Sequence, residues 1–342
     1  MEKLKLIGLE DGAVAWFGDY LRDRQQFVQL NKIESNKRKI TYGVPQGSIL
    51  GPTLFLIYIN SLSQLDLKGS IKLYADDTTL LYSSDSCGSV VQNIRHDLEL
   101  ILHWLQSHKL TLNIKKSAFM WVANKNNDLG EIHFNNDIIR HSSKIQFLGL
   151  TIDNKMNWGE YIKAVRKRIT GPIGVLNRLS HIVPKNLTRS LYFSLVHSHL
   201  QYLTIIWGKA SKRNLKPLNI LQKKAIKKLY SLDYRYPTTD LFNNFKIRNI
   251  NSTYKLQINI FIHQTLMQKR HTQVTFAYRR QVHSHFTRQC TDLSKPQVCS
   301  RQGINSIYFD GVAQYNTLPK HFKNQNVDNF KKRIRQYIPL YC

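Results

Sequence analysis

Residues 71–82 read IKLYADDTTLLY. Two apolar, strand-like segments are interrupted in the middle by Ala75, Asp76 and Asp77, a pattern that predicts strand, tight turn, strand. The hairpin would hold two carboxylates at its turn. Adjacent like charges repel unless a cation lies between them and a third group. Mg²⁺ suits that place, because hard divalent ions take one or two carboxylates together with substrate phosphates. A pair of such ions steadies both the attacking and the leaving oxygen in phosphoryl transfer. The competing structural reading is that Asp-Asp is simply a favourable turn pair.

Upstream of the hairpin, GVPQGSILGP at residues 43–52 is a loop studded with Gly and Pro that opens into an apolar helix, with Pro52 in or near the first turn. Residues 6–23 have helical spacing, and 26–30 and 38–43 read as two short strands around a polar tract. Downstream, 90–109 is an amphipathic helix, 117–123 a strand, 124–128 a turn and 145–152 one short strand. This alternation predicts an α+β fold: a partial, small antiparallel sheet with helices packed on one face. Beyond residue 154 the pattern becomes helical, with stripes at Trp158, Ile162, Val165 and Ile169 and at Leu218, Leu221, Ala225 and Leu229. Residues 271–342 are expected to be loosely packed.

The ordered motifs resemble the reverse transcriptases of non-LTR, LINE-type retrotransposons, in particular jockey-like elements. Tyr74, Ala75, Asp76 and Asp77 match the YxDD motif of that family. The resemblance implies that Asp76 binds catalytic Mg²⁺, with Mn²⁺ an alternative, and that Asp77 shapes the same site. Pro45, Gln46 and Gly47 match the loop touching the incoming nucleotide and templating base. In LNIKKSAFM (112–120), Leu112, Asn113, Lys116 and Ser117 match the following motif, whose Lys is similar to a proton donor for the pyrophosphate leaving group. Phe147, Leu148 and Gly149, in FLGLTID, resemble the primer grip. The likeness continues through WGEYI (158–162), LQKKAIKKLY (221–230) and FDGVAQYNTLPKHFKN (309–324), where Tyr315 stands in place of the usual Trp. It implies an RNA template, a DNA primer and deoxynucleoside triphosphates as partners. The implied layout is a fingers/palm junction at 1–35, a partial palm at 36–155, a basic helical thumb and connection at 156–270, and a C-terminal region at 271–342.

The charge distribution fits a polyanionic partner. The chain has 342 residues and a net charge of +28; residues 1–150 carry 17 basic and 15 acidic groups, a net of +2, which leaves +26 for the remainder. Lys223, Lys224, Lys227 and Lys228 recur at helical spacing, and Lys163, Arg166, Lys167 and Arg168 form a second cluster. Both suit a nucleic-acid backbone; the alternative is an ordinary solvated helix face. Tyr230, Tyr234 and Tyr236 stand near the first cluster, as stacking surface or as core.

Cys87, Cys290, Cys299 and Cys342 are too scattered for a disulfide framework, and His271, His283, His285, Cys290 and Cys299 fit no usual zinc spacing. No apolar run reaches membrane-spanning length. The expectation is an intracellular protein, nuclear or cytoplasmic, without a membrane partner.

The family resemblance also implies a further metal-bridging Asp on a strand well upstream of residue 43, which this chain is expected to begin after. Asp11, Asp19 and Asp23 have the wrong neighbours and read as surface residues. The expectation is therefore a polymerase domain that is inactive as this fragment. The alternative is a non-catalytic nucleic-acid-binding remnant or co-opted protein. A group II intron maturase or telomerase palm shares the YxDD hairpin, but FLGLTID and YNTLP favour the retrotransposon.

Overall fold

The computed structural model describes residues 1–122, 131–233, 235–270, 272–282 and 291–341. The turn expected over 124–128 lies outside them, as do Tyr234, His271, His283, His285, Cys290 and Cys342. The chain is α+β and divides into two compact units, Met1–Ser142 and Ser143–Cys342.

In the first unit, α1 (Glu2–Leu6) and α2 (Asp11–Leu21) replace the single helix expected over 6–23. Gly8, at φ +91°, stops α1: its N–H bonds Lys5 O and that of Leu9 bonds Leu4 O, closing a Schellman cap. The two strands expected around the polar tract form a single arm. β1 (Gln25–Gln26) pairs with β4 (Arg38–Lys39), and β2 (Gln29–Leu30) pairs with β3 (Ile33–Glu34). α3 (Leu50–Ile59) follows, with Pro52 in its first turn, where the missing N–H leaves no helical bond unmade.

β5 (Ser70–Tyr74) and β6 (Asp77–Leu81) form the expected hairpin, with Tyr74 opposite Asp77. Its inner side chains Ile71, Leu73 and Leu80 pack with Leu98, Ile101 and Trp104 of α4 (Cys87–Ser107). β7 (Ala118–Phe119), β8 (Ile132–Phe134) and β9 (Asp137–His141) complete this unit as a sheet of order β7-β9-β8. The expected continuous sheet with helices on one face does not form among the described residues. Five small sheets stand in its place, four of two strands and one of three. Each is a local hairpin or short pairing, because turns interrupt the strands every few residues.

In the second unit, the strand expected over 145–152 is a hairpin of β10 (Lys144–Phe147) and β11 (Leu150–Asp153). Leu148 at φ +46° and Gly149 at φ +77° make its two-residue loop. Two successive left-handed residues match the right-handed twist of the flanking strands. The buried Asp153 carboxylate then accepts the backbone N–H groups of Lys155, Asn157 and Trp158 at 3.1, 3.3 and 3.0 Å, turning the chain into α5 (Gly159–Leu179).

The helices that follow are α6 (Lys185–Tyr192), α7 (Ser198–Gln201), α8 (Thr204–Trp207), α9 (Lys212–Leu229), α10 (Thr238–Asn244) and α11 (Ile250–Leu266). Ile162, Val165, Ile169, Ile173 and Leu176 recur every three or four residues along α5 and share a core with Leu218, Ala225, Ile226 and Leu229 of α9. Burying these aliphatic side chains stabilises the pair by about 1.5–3 kcal/mol each. Leu221 is only partly buried, and the neighbouring Gln222 is fully buried; its Nε2 donates to Tyr192 Oη at 3.2 Å and Arg248 O at 2.8 Å.

The C-terminal region is packed where it is described. The last helix, Val327–Tyr337, buries Phe330 and Ile334 completely in a core shared with α11. The His263 ring stacks on Phe330 at 3.9 Å, and its Nδ1 lies 2.9 Å from the Tyr315 hydroxyl. Polar composition hid a segment held by a few large anchors.

Candidate active site

The β5–β6 loop is Ala75-Asp76, with Ala75 at φ +51°. Two-residue hairpin loops require a left-handed first position, and placing a residue with a Cβ there costs roughly 1–2 kcal/mol. The hairpin accepts that strain because its apolar inner face is anchored in the core. Asp76 and Asp77 are both exposed at the tip, and Tyr74, across from Asp77, is 63% exposed. Among the described residues neither carboxylate is in an ion pair, and no group of three or more His, Cys, Asp or Glu side chains is placed to share a metal. Two adjacent, uncompensated carboxylates fit one hard divalent ion completed by water and phosphate oxygens. They do not by themselves make a two-ion site.

Pro45, Gln46 and Gly47 form a turn closed by Ser48 N–H on Pro45 O at 3.4 Å, with Gly47 at φ +80° in the third position, where a type II turn requires a left-handed residue. The Ser48 hydroxyl donates to Pro45 O at 2.8 Å and accepts Gly51 N–H at 3.0 Å, tying the turn to the start of α3. A Cβ on Gly51 would sit 2.9 Å from both oxygens, so the tie needs glycine there. Gln46 and Gly47 are left exposed.

Lys116 is exposed on a turn in which its N–H and that of Ser117 both donate to Asn113 O at 3.0 Å. Leu112 and Ile114 sink this turn into the same core that holds the β5–β6 hairpin. The hairpin and the Lys116 turn are thus two outgrowths of one packed body. α3 adds Phe55 and Ile59 to that core, while its Leu50 and Leu54 pack with Val44 beside the Pro45 turn.

Phe147, Leu148 and Gly149 belong to the second unit. Their left-handed turn is held by the Tyr202 hydroxyl, which donates to Leu148 O at 2.6 Å. Arg166 and Lys167 are exposed on α5, where Lys163, Arg166, Lys167, Thr170 and Gly171 line an open groove of about 580 Å³. On α9, Lys224 and Lys228 are exposed and Lys223 and Lys227 half-buried, opposite the Leu218, Ala225 and Leu229 stripe. Tyr230 stacks on Phe245 at 3.8 Å, which makes it core. No helix among the described residues is long and apolar enough to cross a membrane.

Sequence reasoning passed over Tyr202 and Asp97. Nothing local marks Tyr202. Asp97, however, interrupts the buried stripe Val90, Ile94, Leu98, Ile101 of α4, and a carboxylate on an apolar stripe is a signal for a tertiary partner.

The family model described as reverse transcriptase (RNA-dependent DNA polymerase) matches residues 1–152. The RNA-directed DNA polymerase from mobile element jockey of Drosophila melanogaster is 25% identical over 260 residues, covering 70% of this chain and 28% of that protein. The probable RNA-directed DNA polymerase from transposon BS is 28% identical over 244 residues, 68% of this chain and 27% of its own length. That from transposon X-element is 21% identical over 239 residues, 68% and 26% respectively; both are from the same organism. The chain thus spans about a quarter of the length of the curated relatives it matches. No solved structure matches it. Residues 1–152 are thus similar to reverse transcriptases, and about two thirds of the chain is similar to the RNA-directed DNA polymerases of the mobile elements jockey, BS and X-element.

Proposed function

We propose that the chain contributes the nucleotidyl-transfer centre of an RNA-directed DNA polymerase, which adds deoxynucleotides to a primer 3′-OH along an RNA template. The observation that carries this reading is the β5–β6 hairpin, which presents Asp76 and Asp77 side by side at an exposed tip within the family-matched segment. Mg²⁺ or Mn²⁺, when bound there, neutralises triphosphate charge and makes the attacking hydroxyl a better nucleophile. Asp76, in the loop, is the direct ligand; Asp77, in register with Tyr74, completes the donor pair. Lys116 delivers a proton to the departing pyrophosphate. Pro45, Gln46 and Gly47, together with Tyr74, meet the nucleotide and templating base, and Phe147, Leu148 and Gly149 hold the primer end. Arg166, Lys167, Lys223, Lys224, Lys227 and Lys228 bind the nucleic-acid backbone through charge, without reading bases. In this reading residues 36–155 are palm and 156–270 thumb and connection, and the protein works in the nucleus or cytoplasm.

A centre with two carboxylates holds two cations weakly, so extension by the chain alone is expected to be very slow or lost. The absence of a third metal-ligating side chain beside Asp76 and Asp77 among the described residues favours a second reading, a non-catalytic nucleic-acid-binding protein. Primer extension on an oligo(dT)-primed poly(rA) template, at protein in excess over primer, separates the two. Trace dTTP incorporation that disappears in Asp76→Ala supports the polymerase centre. Salt-sensitive template–primer binding without incorporation, unchanged by replacing both aspartates, supports the binding protein. Neither extension nor binding refutes both.

A further inference from the structure

The feet of the β5–β6 hairpin meet at one buried carboxylate. Asp97, in α4, has no solvent exposure. Its Oδ1 accepts the Lys68 N–H at 3.0 Å, and its Oδ2 accepts the Gly69 N–H at 2.9 Å and the Tyr82 hydroxyl at 3.0 Å. Lys68 and Gly69 immediately precede β5, and Tyr82 immediately follows β6. A single side chain therefore ties both strands at the end of the hairpin opposite Asp76 and Asp77. His96 Nδ1 adds a fourth contact, 3.0 Å from Oδ1. Gly69 is part of the device: a Cβ there would lie 2.4 Å from the Tyr82 ring, so only glycine lets the ring pass close enough for its hydroxyl to reach Asp97.

The contacts suit an ionised group. Burial pushes the Asp97 carboxyl up, but the hydrogen bonds from His96, Lys68, Gly69 and Tyr82 outweigh it and hold the group below the usual carboxylate range. Burial and the facing carboxylate push the Tyr82 phenol well above its ordinary value, so it stays a donor. Neither Lys nor Arg is ion-paired to Asp97 among the described residues; His96 is its one basic partner.

We infer that Asp97 is a positioning residue for the metal-binding tip, clamping both feet of the hairpin so that Asp76 and Asp77 are held in one orientation. The tip lies about 17 Å from the feet at roughly 3.4 Å per strand residue, so a tilt of about 5° at the base moves the carboxylates by about 1.5 Å. Displacements of that size are enough to cost on the order of 100-fold in a reaction that depends on positioning. The inference rests on the reading of Asp76 and Asp77 as metal ligands only for what the tip does; the clamp itself is separately measurable.

The test uses the full chain as wild type, Asp97→Asn, Tyr82→Phe and Asp76→Asn, with amide hydrogen exchange over residues 70–81 and Mn²⁺ affinity by electron paramagnetic resonance. Asp97→Asn keeps one acceptor oxygen and turns an amide toward a donor. It is expected to speed hairpin exchange about tenfold and weaken Mn²⁺ about tenfold, while the α4 amides 98–104 change less than about threefold. Tyr82→Phe, which leaves both backbone contacts, is expected to give about a threefold change confined to the hairpin, and it decides the matter if Asp97→Asn fails to fold. Asp76→Asn should abolish Mn²⁺ binding and leave exchange unchanged. Hairpin exchange unaltered in both clamp variants, or accelerated equally in α4, overturns the inference. If wild type binds no Mn²⁺ at all, the ligand reading of the tip fails, and the exchange data still judge the clamp.

Discussion

The Tyr202 hydroxyl donates a 2.6 Å hydrogen bond to the carbonyl of Leu148, at the left-handed tip of the β10–β11 hairpin. Leucine gains nothing from a positive φ, so the turn keeps its shape only because neighbours hold it there. Tyr202 is 46% exposed, which makes the bond a modest one. Tyr202→Phe is expected to destabilise this hairpin by about 1 kcal/mol. Hydrogen exchange should quicken over residues 144–153 while the amides of α5 stay as they were. Unchanged exchange at 144–153 would show that the turn holds itself.

A buried histidine should make stability depend on pH. His197 is held neutral, its pKa lowered to about 4 by burial and by the Arg248 charge. Its Nδ1 has no hydrogen-bond partner among the described residues. The unfolded chain takes up a proton near pH 6.5 and the folded chain does not, so the stability this group supplies is present above about pH 6.5 and is lost as pH falls toward 4. The loss approaches roughly 3 kcal/mol. Burial lowers His263 as well, against the raising effect of its bond to Gln325 O, and it contributes with the same sign. Denaturant midpoints measured from pH 8 to pH 4 should fall most steeply between 6.5 and 4, and His197→Phe should flatten part of that fall. A profile indifferent to the substitution contradicts the assignment.

The packing of α5 against α9 contributes to the stability of the second unit. Ile169 has no solvent exposure, and Ile169→Ala is expected to cost about 2–5 kcal/mol in denaturant unfolding. Thr170→Ala, one residue away on the exposed face, should change stability by less than about 0.5 kcal/mol. Equal effects at the two positions would mean that the helix pair is not packed as described.

Arg166, Lys167, Lys224 and Lys228 are exposed cations, and their effect on nucleic-acid binding should be electrostatic. Replacing them with Gln should weaken binding to RNA and DNA of any sequence. Each phosphate contact removed should make the slope of log affinity against log salt shallower by about 0.7–0.9. Filter binding from 50 to 300 mM salt measures this. An unchanged slope assigns these side chains to an ordinary solvated face.

What could be read from sequence, and what could not, follows from the range of the interactions. The Asp76-Asp77 turn was legible because short apolar strands on both sides leave only the carboxylates for the bend. The stripes of α5 and α9 were legible because their period is a property of the helix alone. Residues 145–152 read as one strand because Leu148 looks like its apolar neighbours, and only its positive φ and the bond from Tyr202 reveal a turn. The β8–β9 hairpin was missed although Asn135-Asn136 marked it, with Asn135 at φ +54°. The region after residue 270 reads as loose because clear apolar periods return only at residues 330–337, while its packing comes from Phe330 and Ile334 meeting a distant α11. The continuous sheet failed for a related reason: strand pairing between hairpins is a tertiary matter, and nothing local in these short strands enforces it.

The most direct test of the central claim is a Mn²⁺ titration of the full chain, followed by electron paramagnetic resonance, with RNA template, DNA primer and a non-hydrolysable deoxynucleotide present. Asp76 and Asp77, as the donor pair at the hairpin tip, predict a bound Mn²⁺ signal that weakens at least about tenfold in Asp77→Ala and vanishes in Asp76→Ala. A signal of equal strength in wild type and in the chain lacking both carboxylates would contradict the account.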